Sequence, residues 1–322
     1  MSNRINESEA IAFLKGHDNF LIFTHNSPDA DTIGSAIALV ASLRALGKTA
    51  VAFNREGVPE RLAFLEAKEY FRAELPCDLS PFTLVSVDVA SPKMLSGGDE
   101  TLTFALSIDH HEINSISCDN LYLHADYPAA GEIVYELIKG LGVGIDQTVA
   151  GALYAAISSD SGGFRYDSTR PETMYAAAEL MRAGIDFAKI NRLLFDSKSP
   201  AQIAMEKLAY EKLEFHFGGK FVLVAVTQED LDRIGAEDSD TEVLNQIPRT
   251  VAGALVSAVI KPKGTLMKCS MRSNEMISVA EIAAQFSGGG HYHAAGFSKE
   301  GATVEEFRRL VIDAVGKKLE SL

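Results

Sequence analysis

The chain alternates two hydrophobic rhythms. Dense apolar runs rich in β-branched and aromatic residues occur at 20–24 (FLIFT), 49–53 (TAVAF), 82–88 (FTLVSVD) and 102–109 (LTFALSID). Runs this short and this continuous read as buried strands. Between and after them the period changes. DTIGSAIALVASLRALG (31–47) places Ile33, Ile37, Val40 and Leu43 or Leu46 at helical spacing and is stopped by Gly47. PERLAFLE (59–66), AGEIVYELIKGLG (130–142) and TVAGALYAAISSD (148–160) read as further helices. Buried strands alternating with amphipathic helices predict an α/β fold with a parallel sheet covered on both faces.

A helix-rich stretch follows, from RPETMYAAAELMRAG through AQIAMEKLAYEKLEF (201–215), and its later part, 187–215, is expected to be a helical linker. After HFGGK the strand–helix pattern restarts. FVLVAV, VAGALVSAVIK (251–261) and TLMKCSMRS read as strands; DLDRIG, TEVLNQI (241–247), SVAEIAAQF and a last segment from Thr303 read as helices. The expected organisation is a larger N-terminal α/β domain over 1–186, the linker, and a smaller C-terminal α/β domain over 216–322, with a cleft between the domains.

Composition narrows the function. The 322 residues are 47% hydrophobic and carry a formal net charge of −14. So acidic a chain is poorly suited to coat duplex nucleic acid, but it can hold a short strand or nucleotide in a local basic pocket. The three cysteines, Cys77, Cys118 and Cys269, are far apart, which argues against a disulfide framework or a cysteine zinc site and for a reducing compartment. The N-terminal stretch lacks the apolar core of a signal peptide, and no apolar stretch approaches ~18 residues. A cytoplasmic location and no membrane partner are expected.

The candidate chemistry sits at the ends of elements. His25, Asp29 and Asp31 lie in HNSPDADTIGS, between the first strand and its helix. Asp88 ends FTLVSVD, Asp109, His110 and His111 end LTFALSID, and Asp160 ends a helix before SGGF. Taken singly each has an ordinary explanation, such as a helix cap or a turn. Together they suit a metal pair. In open parallel sheets, ligands bind beyond the carboxyl ends of the strands, and carboxylates with imidazoles suit manganese. Two divalent ions balance four aspartates and can activate a water against phosphorus.

In this order the residues resemble the DHH phosphoesterase superfamily over nearly the whole chain. HNSPDADTIGS matches that family's H-x-x-P-D-x-D-x-x-G-S without a mismatch, Asp88 stands for its second motif, Asp109-His110-His111 for its third and Asp160 for its fourth. The resemblance implies that His25, Asp29 and Asp88 hold one metal and that Asp31, Asp88, His110 and Asp160 hold the other, manganese being the expected ion. His111 would face the substrate phosphate, and Asp109 would orient an imidazole. Motif four is Ser-Asp-Ser where Thr-Asp-Thr is commoner, and Ala129 and Ala130 stand where Ser or Thr often precede the Gly-Glu.

FSGGGHYHAAGF (286–297) with the upstream SMRS resembles the DHH-associated domain of the first type. That likeness implies a substrate grip at Arg272, Gly288, Gly289, Gly290 and His291. A compact chain with this tail resembles the short-oligoribonucleotide hydrolases, which cut very short single-stranded RNA and linear dinucleotides to mononucleotides. The alternatives are a 3′-phosphoadenosine 5′-phosphate phosphatase and a non-catalytic nucleotide or cyclic dinucleotide sensor. A homodimer is compatible with the resemblance.

Overall fold

The computed structural model describes residues 2–97, 100–274 and 277–321, except the side chain of His291. They form two compact units, Met1–Ser197 and Lys198–Leu322.

The first unit runs β1 (Asn3–Arg4), α1 (Glu7–Gly16), β2 (Phe20–Phe23), α2 (Ala30–Ala45), β3 (Ala50–Phe53), β4 (Phe71–Arg72), β5 (Thr83–Val87), β6 (Phe104–Asp109), β7 (Cys118–Leu123), α3 (Ala130–Leu141), α4 (Gln147–Asp160), α5 (Pro171–Arg182) and α6 (Phe187–Asn191). Its seven-stranded sheet has the order β1-β7-β6-β5-β2-β3-β4, and every pairing is parallel. The chain winds outward from β2 through β3 to β4, then returns to the other side of β2 with β5. The order therefore reverses between β2 and β5, which opens a crevice at their carboxyl ends.

Alternation along the strands divides the core. Phe20 and Ile22 of β2, with Val85, Val87, Leu106 and Ile108, face a layer to which helices α1 to α6 contribute. Leu21 and Phe23 face the other way, onto Phe53, Phe104 and Leu121. There Phe23 meets Phe53 and Phe104 edge-on, with centroids 5.3 and 5.2 Å apart, each pair worth about 1 kcal/mol beyond its buried area. Both faces are covered, as the apolar runs predict. Helices cover only one of them; the other is closed by connecting segments that supply Val89, Leu95 and Ile116, with Leu75, Leu79 and Leu102 packed around them.

The second unit runs α7 (Pro200–Glu211), β8 (Glu214–His216), β9 (Phe221–Ala225), α8 (Gln228–Ile234), β10 (Val256–Lys263), β11 (Leu266–Ser273), α9 (Val279–Ala284), β12 (Gly289–His291), β13 (Ala294–Glu300) and α10 (Val304–Glu320). Its six strands lie in the order β12-β13-β11-β10-β9-β8. Only β9 and β10 are parallel; the other pairings are antiparallel. One face packs Ala258, Ile260, Met271 and Phe297 against Val279, Ile282, Phe307 and Val311 of α9 and α10. On the other, Val224 and Val259 meet Met205, Leu208, Leu231 and Leu244.

Several local expectations are corrected. The pattern at 59–66 forms a 3-10 turn over Glu60–Leu65, and that at 241–247 a 3-10 turn over Asp238–Asn245. The strand expected from 251 begins at Val256, because Gly253 turns the chain in the left-handed region (φ 83°). The helix expected through 215 stops at Glu211, and Glu214–His216 pairs onto β9. Strand β7 has no signal of its own in the sequence, since CDNLYL carries two polar residues. The two strands of the glycine segment form because β13 finds β11 as a partner, a contact that local pattern cannot show.

Candidate metal centre

The loop after β2 explains the first motif letter by letter. Asn54 donates from Nδ2 to the His25 carbonyl at 2.9 Å, which pins the chain as it leaves the sheet. Asp29 caps α2, accepting from the Thr32 N–H at 3.0 Å. Asp31, in the first turn of α2, is wholly buried. It accepts from the N–H groups of Ala130 and Gly131 at 2.7 and 2.8 Å and from Ser35 Oγ at 3.1 Å. Helix α3 has no side-chain cap of its own at Ala129. Asp31 therefore caps it from another helix, satisfying amides that a helix start leaves without partners and placing an anion at the positive end of the dipole. Gly34 is required because a Cβ there would sit 2.3 Å from the Ala152 carbonyl of α4. At Gly131 a Cβ would sit 2.6 Å from Ala156 Cβ. These close approaches lay α2 and α3 on α4, the helix that ends at Asp160.

Asp88 follows β5 in the left-handed region (φ 59°), its N–H donating to the Ile108 carbonyl at 3.0 Å. Aspartate visits this conformation more readily than most residues, and the turn directs a 2%-exposed carboxylate into the crevice. Asp109 ends β6, and His110 and His111 follow. His25 and His110 both bond a backbone carbonyl through Nδ1, His25 to Asn26 at 2.7 Å and His110 to Tyr127 at 3.3 Å. A carbonyl only accepts, so Nδ1 carries the proton and Nε2 is left to face the cluster. His111 Nδ1 lies 2.7 Å from Asp109 Oδ1. The other Asp109 oxygen accepts from Asn114 Nδ2, also at 2.7 Å, and Asn114 donates further to the Val89 carbonyl at 3.1 Å.

These groups meet at the carboxyl edge of the sheet. His25 Nε2 is 3.5 Å from Asp29 and 3.3 Å from Asp88. His110 Nε2 is 3.8, 3.5 and 3.7 Å from Asp31, Asp88 and Asp160. Three triads, His25-Asp29-Asp88, Asp31-His110-Asp160 and Asp88-His110-His111, each bring one ligand atom per residue within 4.8 Å of one another.

The electrostatics are those of an anion cluster short of positive charge. Burial, then the neighbouring Asp88, pushes the Asp31 carboxyl up to about 7. Burial, then Asp31 and Asp29, raises Asp160 well above the carboxylate range. Burial alone would depress His25 and His110, but hydrogen bonds to Asp29 and Asp88, and to Asp88, outweigh it and raise both. Burial would likewise raise Asp88, yet its bonds to His110 and His25 bring it down. Protons thus hold together a set of carboxylates that would otherwise repel one another. Hard oxygen donors with imidazoles, already oriented by carbonyls and amides, fit divalent cations of the manganese type.

A second layer escaped the sequence reading. Glu132, 1% exposed, accepts from Arg170 Nη2 and from Thr173 Oγ1, both at 2.6 Å. Arg170 also bonds Asp126 at 3.2 Å and lies 3.8 Å over the Tyr127 ring. It thereby grips the turn whose carbonyl holds His110. The available signal was a glutamate inside an apolar helix pattern at 130–142, which a buried partner had to neutralise. Phe164 packs against the helical core, and the Arg165 guanidinium lies 5.8 Å from the Phe195 ring.

In the second unit Arg272 lies on β11, opposite Ser257 on β10 and Ala294 on β13. Gly289 to His291 form the edge strand β12, paired antiparallel with Ala294–Gly296. A Cβ at Gly288 would sit 2.3 Å from the Gly296 carbonyl, and one at Gly290 (φ 138°) would sit 2.4 Å from the Ala294 carbonyl. Close strand packing therefore accounts for these two glycines; at Gly289 a Cβ would meet open space. The backbone of His291 lies in β12, and its side chain is outside the described residues. His293 Nδ1 is 3.0 Å from Ser273 Oγ.

A parallel sheet with a carboxylate–imidazole cluster at its topological switch places together groups that could hold divalent cations. The chain belongs to the DHH family: residues 19–157 match the DHH family N-terminal domain and residues 218–317 the DHHA1 domain. It is 31% identical over 299 residues to the bifunctional oligoribonuclease and PAP phosphatase NrnA of Thermus thermophilus, covering 92% of this chain and 89% of the relative. It is 28% identical over 243 residues to the manganese-dependent inorganic pyrophosphatase of Bacillus subtilis, covering 70% and 76%. The crystal structure of an exopolyphosphatase-related protein from Bacteroides fragilis superposes with a TM-score of 0.85 at 21% identity, covering 97% of this chain and 96% of that one. Among the described residues no helix is long and apolar enough to cross a membrane.

Proposed function

We propose that this chain hydrolyses very short oligoribonucleotides and linear dinucleotides to mononucleotides, and removes the 3′-phosphate of 3′-phosphoadenosine 5′-phosphate at the same centre. The carrying observation is the likeness to the Thermus enzyme across 92% of the chain, joined to a cluster that places His25, Asp29 and Asp88, and Asp31, His110 and Asp160, within ligand distance. We assign the chemistry to residues 1–186 and the substrate grip to 216–322, with 187–215 between them.

Two divalent cations, manganese by preference, would be held by His25, Asp29 and Asp88 and by Asp31, Asp88, His110 and Asp160, Asp88 shared. When bound, such a pair supplies Lewis acidity and an acidified water. The chain supplies the rest. Asp109 and Asp88 raise the His111 pKa against the cost of burial, and its ring would donate a hydrogen bond to a phosphoryl oxygen. Asp109, itself held by Asn114, fixes the ring. The experiment is to incubate the manganese-loaded protein with 5′-phosphorylated RNAs of two, three, five and ten residues and with 3′-phosphoadenosine 5′-phosphate. Rapid conversion of the shortest RNAs to mononucleotides is expected. Consumption of the bisphosphate nucleotide alone would leave the phosphatase reading, and no turnover with any divalent metal would overturn both.

A further inference from the structure

The groups of the cluster are steered in different ways. Asp29 and Asp31 accept hydrogen bonds from amides, and His25 and His110 bond carbonyls. Asp88 lies 3.3 and 3.5 Å from the His25 and His110 imidazoles. The Asp160 carboxylate accepts no hydrogen bond among the described residues, and its side chain is 28% exposed. Its direction is set by the backbone beneath it, where α4 ends. There Gly162, Gly163 and Phe164 follow one another in the left-handed region (φ 61°, 69° and 63°), a strained conformation for a side chain as bulky as Phe164. The Gly163 N–H donates to the Ser158 carbonyl at 2.7 Å and the Phe164 N–H to Ser161 Oγ at 3.0 Å. Ser159 and Ser161 turn their hydroxyls back onto the Ala156 and Ile157 carbonyls of α4 itself. Ser158 does not.

Ser158 is wholly buried and donates to Asn191 Oδ1 at 2.9 Å, while Asn191 Nδ2 donates to the Tyr154 hydroxyl at 3.0 Å. Asn191 is the last residue of α6, and both its partners lie on α4. The apolar contact between these helices sits further back, where a Cβ at Gly151 would lie 3.9 Å from both Ile185 and Ile190. Asn191 thus fastens the final turns of α4 beyond that contact. Two residues apart on a helix, Ser158 and Asp160 point about 200° away from each other. A pull on Ser158 toward α6 therefore sets how far Asp160 reaches toward His110 Nε2, 3.7 Å away. Directly after Asn191 the chain makes a π-turn over Arg192–Asp196, a feature frequent at functional sites. From it, Phe195 meets the Arg165 guanidinium, which bonds the Gly162 carbonyl. A second contact from the same segment thus rests on the turn after Asp160.

We propose that Asn191 is a positioning residue for Asp160: through Ser158 it sets the reach of that carboxylate toward the cation it would share with Asp31 and His110. The assignment rests on the two-cation hydrolase reading, but manganese titration tests it without turnover. Calorimetry of the wild type should count two manganese ions. Asn191→Leu should weaken one of them about tenfold, as for other groups that orient a ligand, and leave the other unchanged. Ser158→Ala, which keeps the helix and removes only the hydroxyl, should do the same. Tyr154→Phe breaks the half of the bridge away from Asp160. Its melting temperature in chelator should fall about as far as that of Ser158→Ala, while its manganese affinities change little. Asn191→Asp, whose carboxylate can accept from both hydroxyls, should restore the weakened ion. With a 5′-phosphorylated diribonucleotide, Asn191→Leu should lower kcat with KM nearly constant. If wild type cleaves no nucleotide, the hydrolase reading falls, yet selective weakening of one ion still supports the positioning role. Equal weakening of both ions, equal manganese affinities in Ser158→Ala and Tyr154→Phe, or a wild type that binds fewer than two ions overturns it.

Discussion

The two units collect charge in opposite ways. In the first, carboxylates and imidazoles come from the ends of β2, β5, β6 and α4, and they are packed so tightly that Asp31 and Asp160 resist ionisation. In the second, lysines and an arginine lie along the neighbouring strands β10 and β11, and one acid, Asp238, pairs with two of the lysines. Parallel strands need long crossovers, so residues meeting at one edge are far apart in sequence. Antiparallel strands display alternate residues on one face, so a site can come from a short stretch. The difference predicts a division of labour: changes in the first unit should act on metal binding and kcat, changes in the second on KM.

The largest expected effect is Asp88→Ala. Asp88 alone belongs to both the His25 and the His111 triads, so turnover should fall by more than about 10³-fold, beyond the loss of a single electrostatic donor. Circular dichroism should show a retained fold while calorimetry shows manganese binding lost; unchanged turnover would break the division at its centre. Next comes Arg170. Arg170→Met leaves Glu132 buried with Thr173 but without its positive charge, at about 3–5 kcal/mol, so the informative variant also carries Glu132→Gln. The double variant should fold and yet bind manganese about 10- to 100-fold more weakly, as for other groups that orient a ligand. Wild-type affinity in that variant would show the clamp to be structural only. Asn114→Ala should lower kcat about tenfold with KM nearly constant, since it frees Asp109 and so the His111 ring. A KM effect as large as the kcat effect would blur the comparison.

The smallest effect is on melting temperature against pH in chelator. Asp31 keeps its proton up to about pH 7 in the folded chain but releases it near ~4 when unfolded. The folded state therefore binds more protons in that window, and stability falls as pH rises through it. His25 and His110, raised by their carboxylates, add stability that is complete below ~6.5 and is lost as pH rises through their folded values. Asp88, lowered by the same contacts, works in the other direction, its contribution vanishing in acid. The metal-free chain should lose a few degrees, of the order expected for ~1–2 kcal/mol, between pH 6 and 8. Manganese should restore more at the higher pH, and a metal-free curve that rises over this range would contradict the cluster's electrostatics.

The acids and imidazoles were legible because each follows a run whose hydrophobicity alone marks it as a buried strand or helix. His25, Asp88 and Asp109 needed only that rule, and HNSPDADTIGS carried its own family likeness. The sequence by itself also determined the α/β class, the restart of the pattern after HFGGK and the excess of negative charge, since these depend on local periodicity and composition. Tertiary structure alone decided the rest. Asp31 caps a helix that begins 99 residues later; Arg170 reaches back 38 residues to Glu132; Lys261 and Lys268 face each other only once β10 pairs with β11. Periodicity reports which side of an element faces the core. It carries nothing about which distant group will satisfy a buried charge, because that partner is chosen by packing across the sheet and between helices, after the elements have formed.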